Sequence, residues 1–329
     1  MKKIFLFAAA AMVSLSSCVQ SEEIYTGGVT EIGFKAAVTR AIISKQEDLK
    51  LYPIAVTAIW DNPNDGSSKY NVRFENEKFI YDDGDLKKWR GETAQYWPNG
   101  GNMHFLAFSP YPSSAVITNN FNATTGKFET MVISKIDNNI LNQHDILFSD
   151  LHAVDAPAPA PQPLQFHHAL TQVNVEFKIT NATADVSLQE VMLMDVVMGG
   201  TLTVTPNEGA PSTAEWTLLD NVKDRYFNRS LDASGIEDKA LDAALASDKA
   251  YSPLPLLILP SAAQTSMKIV YTVDGHREEK IVDLSAFGDW KMGYKYTYKI
   301  EINLNQIIFD CTVYPWEDAT LDDDGQIIV

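Results

Sequence analysis

Short runs in which apolar and polar residues alternate recur along most of this 329-residue chain, and Gly, Pro, Asn or Asp separate them. Alternation with a period of two predicts strands with one buried face, and frequent turn residues between such strands favour a sandwich or barrel. The predicted strands of the first half are Glu31 to Val38, Leu51 to Trp60, Tyr70 to Phe74, Lys78 to Tyr81, His104 to Phe108 and Lys127 to Ile133. The pattern therefore predicts an all-β fold.

The second half has the same pattern. Its predicted strands are Gln172 to Ile179, Leu188 to Val197, Gly200 to Val204, Leu254 to Leu259, Met267 to Val273, Tyr294 to Leu304 and Ile307 to Tyr314. One segment differs, because Leu241, Ala244 and Leu245 within Ile236 to Leu245 have helical spacing. This spacing predicts a short helix or a lid loop.

A Pro/Ala run from Asp155 to Pro163 separates the two groups of strands. Proline lacks the N–H that a central strand needs, so the run is expected to be an extended linker. A chain of this length also exceeds one comfortable core. The prediction is an N-terminal β-sandwich over residues 41–154, a linker over 155–163 and a C-terminal β-sandwich over 164–329.

The N-terminus has the features of an export signal. Met1-Lys2-Lys3 is basic, the following stretch to Val13 is apolar, and small residues precede Cys18. This arrangement predicts a signal peptide over residues 1–17, and its apolar run is too short for a permanent membrane span.

Leu15-Ser16-Ser17-Cys18 resembles the lipobox of bacterial lipoproteins. The resemblance implies cleavage before Cys18, lipidation of its sulfur (palmitate among the acyl chains) and anchoring to a lipid bilayer. Acidic residues just after the cysteine, Glu22 and Glu23, resemble a signal for display on the outer face of the outer membrane. The alternative is an ordinary signal peptide followed by an unrelated cysteine.

Charge and cysteine content exclude several classes. The chain has 26 Lys and Arg against 43 Asp and Glu, a net charge of −17, which argues against nucleic acid as a partner. If Cys18 carries lipid, Cys311 has no intramolecular partner, and a disulfide framework is excluded. Cys311 lies in an alternating run and is predicted to be a buried structural thiol.

No motif in the sequence predicts catalysis, a metal site or a cofactor. The G-x-S-x-G, H-E-x-x-H and P-loop patterns are absent from the sequence. His167 and His168 are adjacent, so on a strand one is expected to be packed and the other exposed. Asp322 to Asp324 lack calcium-loop spacing and are expected to be a solvated acidic loop. Core positions are favoured over sugar-binding platforms for five tryptophans: Trp89, Trp97, Trp216, Trp290 and Trp316.

Five groups of residues, in order along the chain, together resemble the fimbrillins, the type V pilin family. They are Tyr96-Trp97-Pro98 with Met103 to Pro110, His144 to Phe148, Leu164 to Leu170, Pro255 to Pro260, and Gly293 to Ile300 with Thr312 to Trp316. The resemblance implies two tandem transthyretin-like β-sandwich domains and a lipoprotein precursor. It also implies a structural or accessory (tip or anchor) subunit of a surface pilus that supports adhesion, with other pilus subunits as partners.

The same resemblance implies a maturation step. In that family a trypsin-like protease removes a leader strand after an arginine, and a strand from a neighbouring subunit fills the vacated groove. Arg40-Ala41 stands at the corresponding place, which makes residues 18–40 the lipidated leader and Ile32, Phe34 and Val38 its strand residues. The alternative is a surface arginine at the end of an ordinary strand.

The C-terminal residues Ile327, Ile328 and Val329 leave two possibilities open. They form either a donor segment for a neighbouring subunit or the last strand of their own domain.

Two other classes of function remain as alternatives. A lipid-anchored surface glycan-binding protein that does not polymerise would show exposed tryptophans along one sandwich face. A β-sandwich glycosidase would need two carboxylates facing each other about 5–10 Å apart in a cleft.

Overall fold

The computed structural model describes residues 30–38, 49–61, 71–84, 87–111, 120–122, 127–133, 144–158, 161–180, 183–197, 199–205, 207, 210–219, 222–226, 243–261, 266–303, 307–315, 320–321 and 327–328. The predicted signal peptide, Cys18, Arg40, Ala41 and Val329 lie outside these residues. Within them, no helix is both long and apolar enough to cross a bilayer.

The all-β prediction is confirmed. In the first half the strands are β1 Gly33–Val38, β2 Ile54–Asp61, β3 Asn71–Asp82, β4 Lys88–Gly91, β5 Asn102–Ser109, β6 Asn120–Asn122, β7 Lys127–Ile133, β8 Leu147–Ser149, β9 His152–Asp155 and β10 Gln162–His168. In the second half they are β11 Thr171–Ile179, β12 Val186–Val197, β13 Gly200–Thr205, β14 Thr213–Leu218, β15 Val222–Tyr226, β16 Ala243–Ala244, β17 Leu256–Ile258, β18 Ser266–Val273, β19 His276–Asp283, β20 Tyr294–Ile302, β21 Ile307–Pro315, β22 Thr320–Leu321 and β23 Ile327–Ile328.

The first half is built around one eight-stranded sheet with the order β2-β3-β4-β1-β10-β8-β5-β9. An additional pairing of β2 with β5 closes the sheet, so seven of the strands form a circuit and β9 pairs with β5 outside it. The circuit encloses an apolar core to which Phe79, Phe105, Leu164 and Phe166 contribute, all with no exposed surface. A closed sheet has few unpaired edges, which limits unwanted association with other chains.

The second half consists of layered sheets. One has the order β17-β11-β20-β21, and another has the order β15-β12-β18-β19 with β16 also paired to β12. The inward residues of β11 and β20, such as Val175 and Tyr298, pack in one core with those of β12 and β18, such as Leu193 and Ile269. Alternate residues of each strand face this core, as expected for a sandwich.

The two halves share structure. A fourth sheet, with the order β14-β13-β7-β6, joins two strands of the first half to two of the second. Leu106 and Phe148 of the first half belong to the same buried cluster as the core of the second half. Residues 169 and 170, between β10 and β11, are bonded to the second half. The Trp216 Nε1 donates to the Ala169 carbonyl at 2.7 Å, and the Gly293 N–H donates to the Leu170 carbonyl at 2.9 Å.

The Pro/Ala run does not separate the sheets, contrary to the expected linker over 155–163. Asp155 ends β9, and Gln162 and Pro163 begin β10, which lies between β1 and β8 in the first sheet. The proline is tolerated because β8 pairs with β10 only from Phe166 onwards. Residues 164–168, assigned from the sequence to the second sandwich, therefore hydrogen-bond within the first sheet.

Two further expectations need correction. Tyr70 to Phe74 and Lys78 to Tyr81 were predicted as two strands around a polar turn, but β3 is continuous. Asn76 has a positive φ of 50° within the strand, and its N–H donates to the Thr57 Oγ1 at 3.0 Å. In the segment predicted as a helix or lid loop, residues 236–242 lie outside the described residues, and Ala243–Ala244 form a strand paired with β12.

Candidate functional site

The strand β1, which contains Phe34 and Val38 of the predicted leader and directly follows Ile32, is an internal strand of the closed sheet. It pairs in parallel with β10 over five positions, from Phe34 opposite Gln162 to Val38 opposite Phe166. On its other side it pairs in antiparallel fashion with β4, where Gly33 lies opposite Arg90. Among the described strands, β1 alone connects β4 to β10. Its loss would open the circuit at this point.

The inward side chains of this segment are part of the core. Ile32 and Phe34 have no exposed surface, and Ala36 is 2% exposed. The Phe34 ring makes edge-to-face contacts with Phe79 and Phe105, with centroids 5.1 and 5.0 Å away. Burying a side chain of this size contributes roughly 1.5–3 kcal/mol. The segment is thus held both by its backbone ladder and by its side chains.

Backbone bonds extend the attachment beyond β1 towards the N-terminus. The Ile32 N–H donates to the Gln95 carbonyl at 2.7 Å, and the Trp97 N–H donates to the Thr30 carbonyl at 3.1 Å. Glu31 forms an isolated bridge with Tyr96. The loop that carries Tyr96-Trp97-Pro98, one of the fimbrillin-like segments, therefore holds the start of the leader.

A buried lysine lies across the same segment. Lys88, the first residue of β4, is 9% exposed, and its Nζ lies 3.6 Å from the Glu31 Oε2. A Cβ built on Gly33 would come within 2.7 Å of the Lys88 Cδ and 3.3 Å of its Nζ. A side chain at position 33 would therefore have to displace the aliphatic part of Lys88, which lies against Gly33.

We call the space occupied by residues 30–38 the leader groove; β4, β10 and the loop 95–97 line it, and Phe79 and Phe105 close its inner end. The structure brings together three regions that the sequence analysis singled out separately. They are the leader residues Ile32 and Phe34, the Tyr96-Trp97-Pro98 segment with the following β5, and the Leu164 to Leu170 segment within β10. Sequence reasoning missed Lys88, since nothing in a lone lysine before a tryptophan indicates which strand will lie beneath it.

The C-terminal segment pairs separately from the larger sheets. Ile327 and Ile328 lie in β23 and pair with Leu321 and Thr320 of β22 in a two-stranded sheet. Neither strand joins one of the larger sheets within the part of the chain that the structure describes. Before it, β21 lies at an outer edge of its sheet, and Ile308 and Tyr314 on this strand are exposed.

The tryptophans that are described are buried or half-buried. Trp89, Trp97 and Trp290 are buried, which confirms the core prediction for them, and Trp216 is half-buried with its Nε1 bonded to the Ala169 carbonyl. Trp316 lies outside the described residues. Within the described part of the chain, these four indoles therefore pack against the protein and do not line up as an exposed platform on one face.

The two histidines differ from the expectation in one respect. His168 is buried as predicted for one of the pair, and its Nδ1 lies 2.5 Å from the Oδ2 of the buried Asp145. His167, on the opposite face, is half-buried and has its Nε2 2.9 Å from the Asp150 Oδ2. Both rings therefore have acidic partners. Asp145 precedes β8 and Asp150 follows it, so the two pairs attach β10 to both ends of β8.

Cys311 is half-buried and not fully buried as predicted. Burial, with a smaller contribution from Asp310, raises the pKa of its thiol to about 11, although a hydrogen bond with Tyr298 acts in the opposite direction. A thiol with such a pKa stays protonated at neutral pH and is a poor nucleophile. This agrees with a structural role for the residue.

Comparison with known proteins identifies a family and structures of the same fold. The fimbrillin-like family model matches residues 39–316. A fimbrial protein from Bacteroides vulgatus has the same fold with a TM-score of 0.60 and 16% identity, over 88% of this chain and 100% of the other. A protein from Bacteroides uniformis, provisionally assigned to cell adhesion, has a TM-score of 0.52 and 15% identity, over 87% of this chain and 98% of the other.

A search of curated proteins finds no match. The family match spans most of the sequence, and residues predicted to carry the resemblance line the leader groove. The chain belongs to the fimbrillin-like family, a family of fimbrial structural proteins and adhesins.

Proposed function

We propose that this protein is a structural or accessory subunit of a surface pilus and that it assembles by exchange of its leader strand. The precursor is exported, lipidated at Cys18 and held at the outer membrane. A trypsin-like protease cuts between Arg40 and Ala41, residues 18–40 leave, and a strand of a neighbouring subunit enters the leader groove. Membership of the fimbrillin-like family supports a pilus-related or adhesive role at the cell surface.

One observation carries the proposal: the most N-terminal described strand is also the strand that closes the sheet between β4 and β10. Such a strand can leave after a single cut on its C-terminal side without disturbing the order of the remaining strands. Its departure would expose backbone N–H and C=O groups of β10 and the apolar surface around Phe105. An extended segment from another chain would satisfy both, as in other examples of strand addition.

The energetic argument favours replacement over an empty groove. Ile32 and Phe34 together account for roughly 3–6 kcal/mol of buried apolar surface, using about 1.5–3 kcal/mol for each. Losing this amount is comparable with much of the stability of an ordinary domain. The trimmed subunit is therefore expected to bind a new strand tightly or to associate with other subunits.

The experiment is limited trypsin digestion of the folded precursor, followed by incubation and electrophoresis without boiling. We expect early cleavage after Arg40 and then a ladder of SDS-resistant oligomers. The Arg40→Gln variant should stay monomeric, whereas the matched control Arg73→Gln, at an exposed arginine of β3, should form the ladder. A trimmed product that remains monomeric after losing the leader would contradict strand exchange.

Lipidation is tested independently. Labelled palmitate should enter the wild-type precursor in cells and should not enter the Cys18→Ala variant. Equal labelling of the two proteins would contradict a lipid anchor at Cys18, and it would leave the strand-exchange proposal standing.

A further inference from the structure

The leader groove contains a charged group that an incoming strand has to accommodate. Lys88 lies against Gly33 and Glu31 of the leader, and its side chain is 11% exposed. In the part of the chain that the structure describes, Glu31 is the carboxylate within ion-pair distance of its Nζ. The leader thus neutralises a cation that lies within the groove.

When the leader leaves, water can reach Lys88, and its charge becomes solvated. A new strand would cover it again. Covering an ammonium group without a nearby carboxylate leaves a buried charge unpaired, which is strongly unfavourable. An incoming strand with Asp or Glu at the position of Glu31 avoids that cost, because it restores the ion pair.

The same lysine also imposes a steric requirement. Its Cδ would lie 2.7 Å from a Cβ at the position of Gly33, well inside van der Waals contact. Two residues after the acidic position, the incoming strand therefore needs glycine unless the lysine moves. At the next position, the space between Phe79 and Phe105 takes a large apolar side chain, as Phe34 shows.

We propose, on the basis of the strand exchange proposed above, that the leader groove selects a strand with the sequence acidic–any–Gly–large apolar. Lys88 is the residue that determines the acidic and glycine positions of this pattern. The occupant is an extended segment of another pilus subunit that carries this pattern in the register of Glu31 to Phe34.

The sequence further indicates that the occupant comes from a different kind of subunit. Glu31-Ile32-Gly33-Phe34 is the one place in the 329 residues where the pattern occurs, and the proposed cleavage removes it. Asp323 and Gly325 near the C-terminus have the acidic and glycine spacing, but Gln326 follows where the large apolar residue is needed. A second copy of the trimmed chain therefore offers no segment that meets all three requirements.

The test is an exchange assay with the full precursor cut after Arg40 in its folded state. Fluorescent synthetic peptides of residues 29–40 are added, and uptake is measured by anisotropy. We expect the Glu31→Gln peptide to bind about tenfold more weakly than the unchanged peptide, which corresponds to roughly 1.4 kcal/mol. The Gly33→Val peptide should also bind at least about tenfold more weakly than the unchanged peptide. The control Thr30→Ala peptide, changed at an exposed residue, should bind within about twofold of the unchanged peptide.

A protein variant assigns the effect to Lys88. In Lys88→Met precursor, which keeps a stem of similar length without the charge, the unchanged and Glu31→Gln peptides should bind within about twofold of each other. Discrimination that persists in this variant would overturn the role of Lys88.

The outcomes separate the two proposals. Equal uptake of the unchanged and Glu31→Gln peptides by the wild-type protein would overturn this specificity and leave strand exchange intact. Absence of uptake for every peptide would overturn strand exchange and this inference with it. A peptide of residues 318–329 that binds as tightly as the leader peptide would overturn the assignment of the occupant to a different subunit.

Discussion

The ring of Phe34 meets the ring of Phe105 edge to face, with centroids 5.0 Å apart and planes at 75°. The contact joins the most N-terminal described strand to the centre of the first core, where Phe105 has no exposed surface. Aromatic pairs of this geometry contribute roughly 0.5–1.5 kcal/mol beyond their buried area. The strand β1, part of the predicted leader, is therefore an integral part of the first core.

Truncating this ring should destabilise the uncut precursor. We expect Phe34→Ala to lower the free energy of unfolding by about 3–5 kcal/mol, since it leaves a cavity between aromatic side chains. Urea denaturation followed by tryptophan fluorescence would measure the change. Ile281→Ala, at an apolar residue of β19 that is 59% exposed, is the control and should change the value by less than about 0.5 kcal/mol. A Phe34→Ala precursor as stable as the wild type would mean that β1 adds nothing to the core.

Gly33 and Lys88 should show coupled effects on stability. Gly33→Ala places a methyl group against the Lys88 stem and should cost about 1–3 kcal/mol in the precursor. In a Lys88→Ala background the same substitution should cost about 1 kcal/mol less, because the space is then free. A double-mutant cycle of thermal or urea unfolding measures this difference. Equal costs in both backgrounds would show that the lysine does not occupy that space.

The buried pair of His168 and Asp145 should be important for stability. Their side chains are 1% and 0% exposed, so removing one partner leaves the other without its hydrogen bond in a dry environment. We expect His168→Ala to lower the free energy of unfolding by about 3–5 kcal/mol. His276→Ala, at an exposed histidine of β19, should have little effect in the same urea titration. Similar small effects of both substitutions would contradict a structural role for the pair.

Cys311 should react slowly with alkylating reagents in the folded protein. With its pKa raised to about 11 from an ordinary value near 9.0, the thiolate fraction at pH 8 falls from about one in ten to about one in a thousand. Iodoacetamide labelling should therefore be far slower in native protein than in urea-unfolded protein, and it should accelerate between pH 9 and 11.

The same shift predicts the direction of a change in stability. Because the folded form holds its proton to a higher pH than the unfolded form, the contribution of Cys311 to stability is complete below pH 9.0 and declines as the pH rises towards about 11. Comparing wild type with Cys311→Ser in urea titrations across this range isolates the contribution.

Equal labelling rates of native and unfolded protein at pH 8 would contradict the raised pKa.

Strands with simple alternation were predictable from the sequence. Lys127–Ile133 has the predicted bounds, and Thr171–Ile179 begins one residue before the prediction. In Thr171–Ile179 the apolar side chains repeat every second residue, and turn residues follow both strands. The first strand was also predictable as a strand, because Ile32 and Phe34 alternate with polar or small residues and both are buried.

Pairing between distant strands was not predictable. Nothing local to β7 indicates that it joins β13, some seventy residues later in the chain. The prolines before β10 favoured a linker, whereas β10 pairs with β1 in the first sheet. Asn76 allows β3 to continue through a polar stretch that resembles a turn. Lys88 was missed for the same reason, since its role depends on Gly33, which lies 55 positions away and meets it only in the folded sheet.

The most direct test of the replaceable strand is amide hydrogen exchange of β10, residues 162–168. In the intact precursor its amides should be strongly protected; after cleavage at Arg40 and removal of the leader peptide, protection should fall in β10 and in β4 but not in β11 or β20. Protection should return when assembly or an added leader peptide fills the groove. Unchanged protection of β10 after loss of the leader would contradict the claim that β1 closes this sheet.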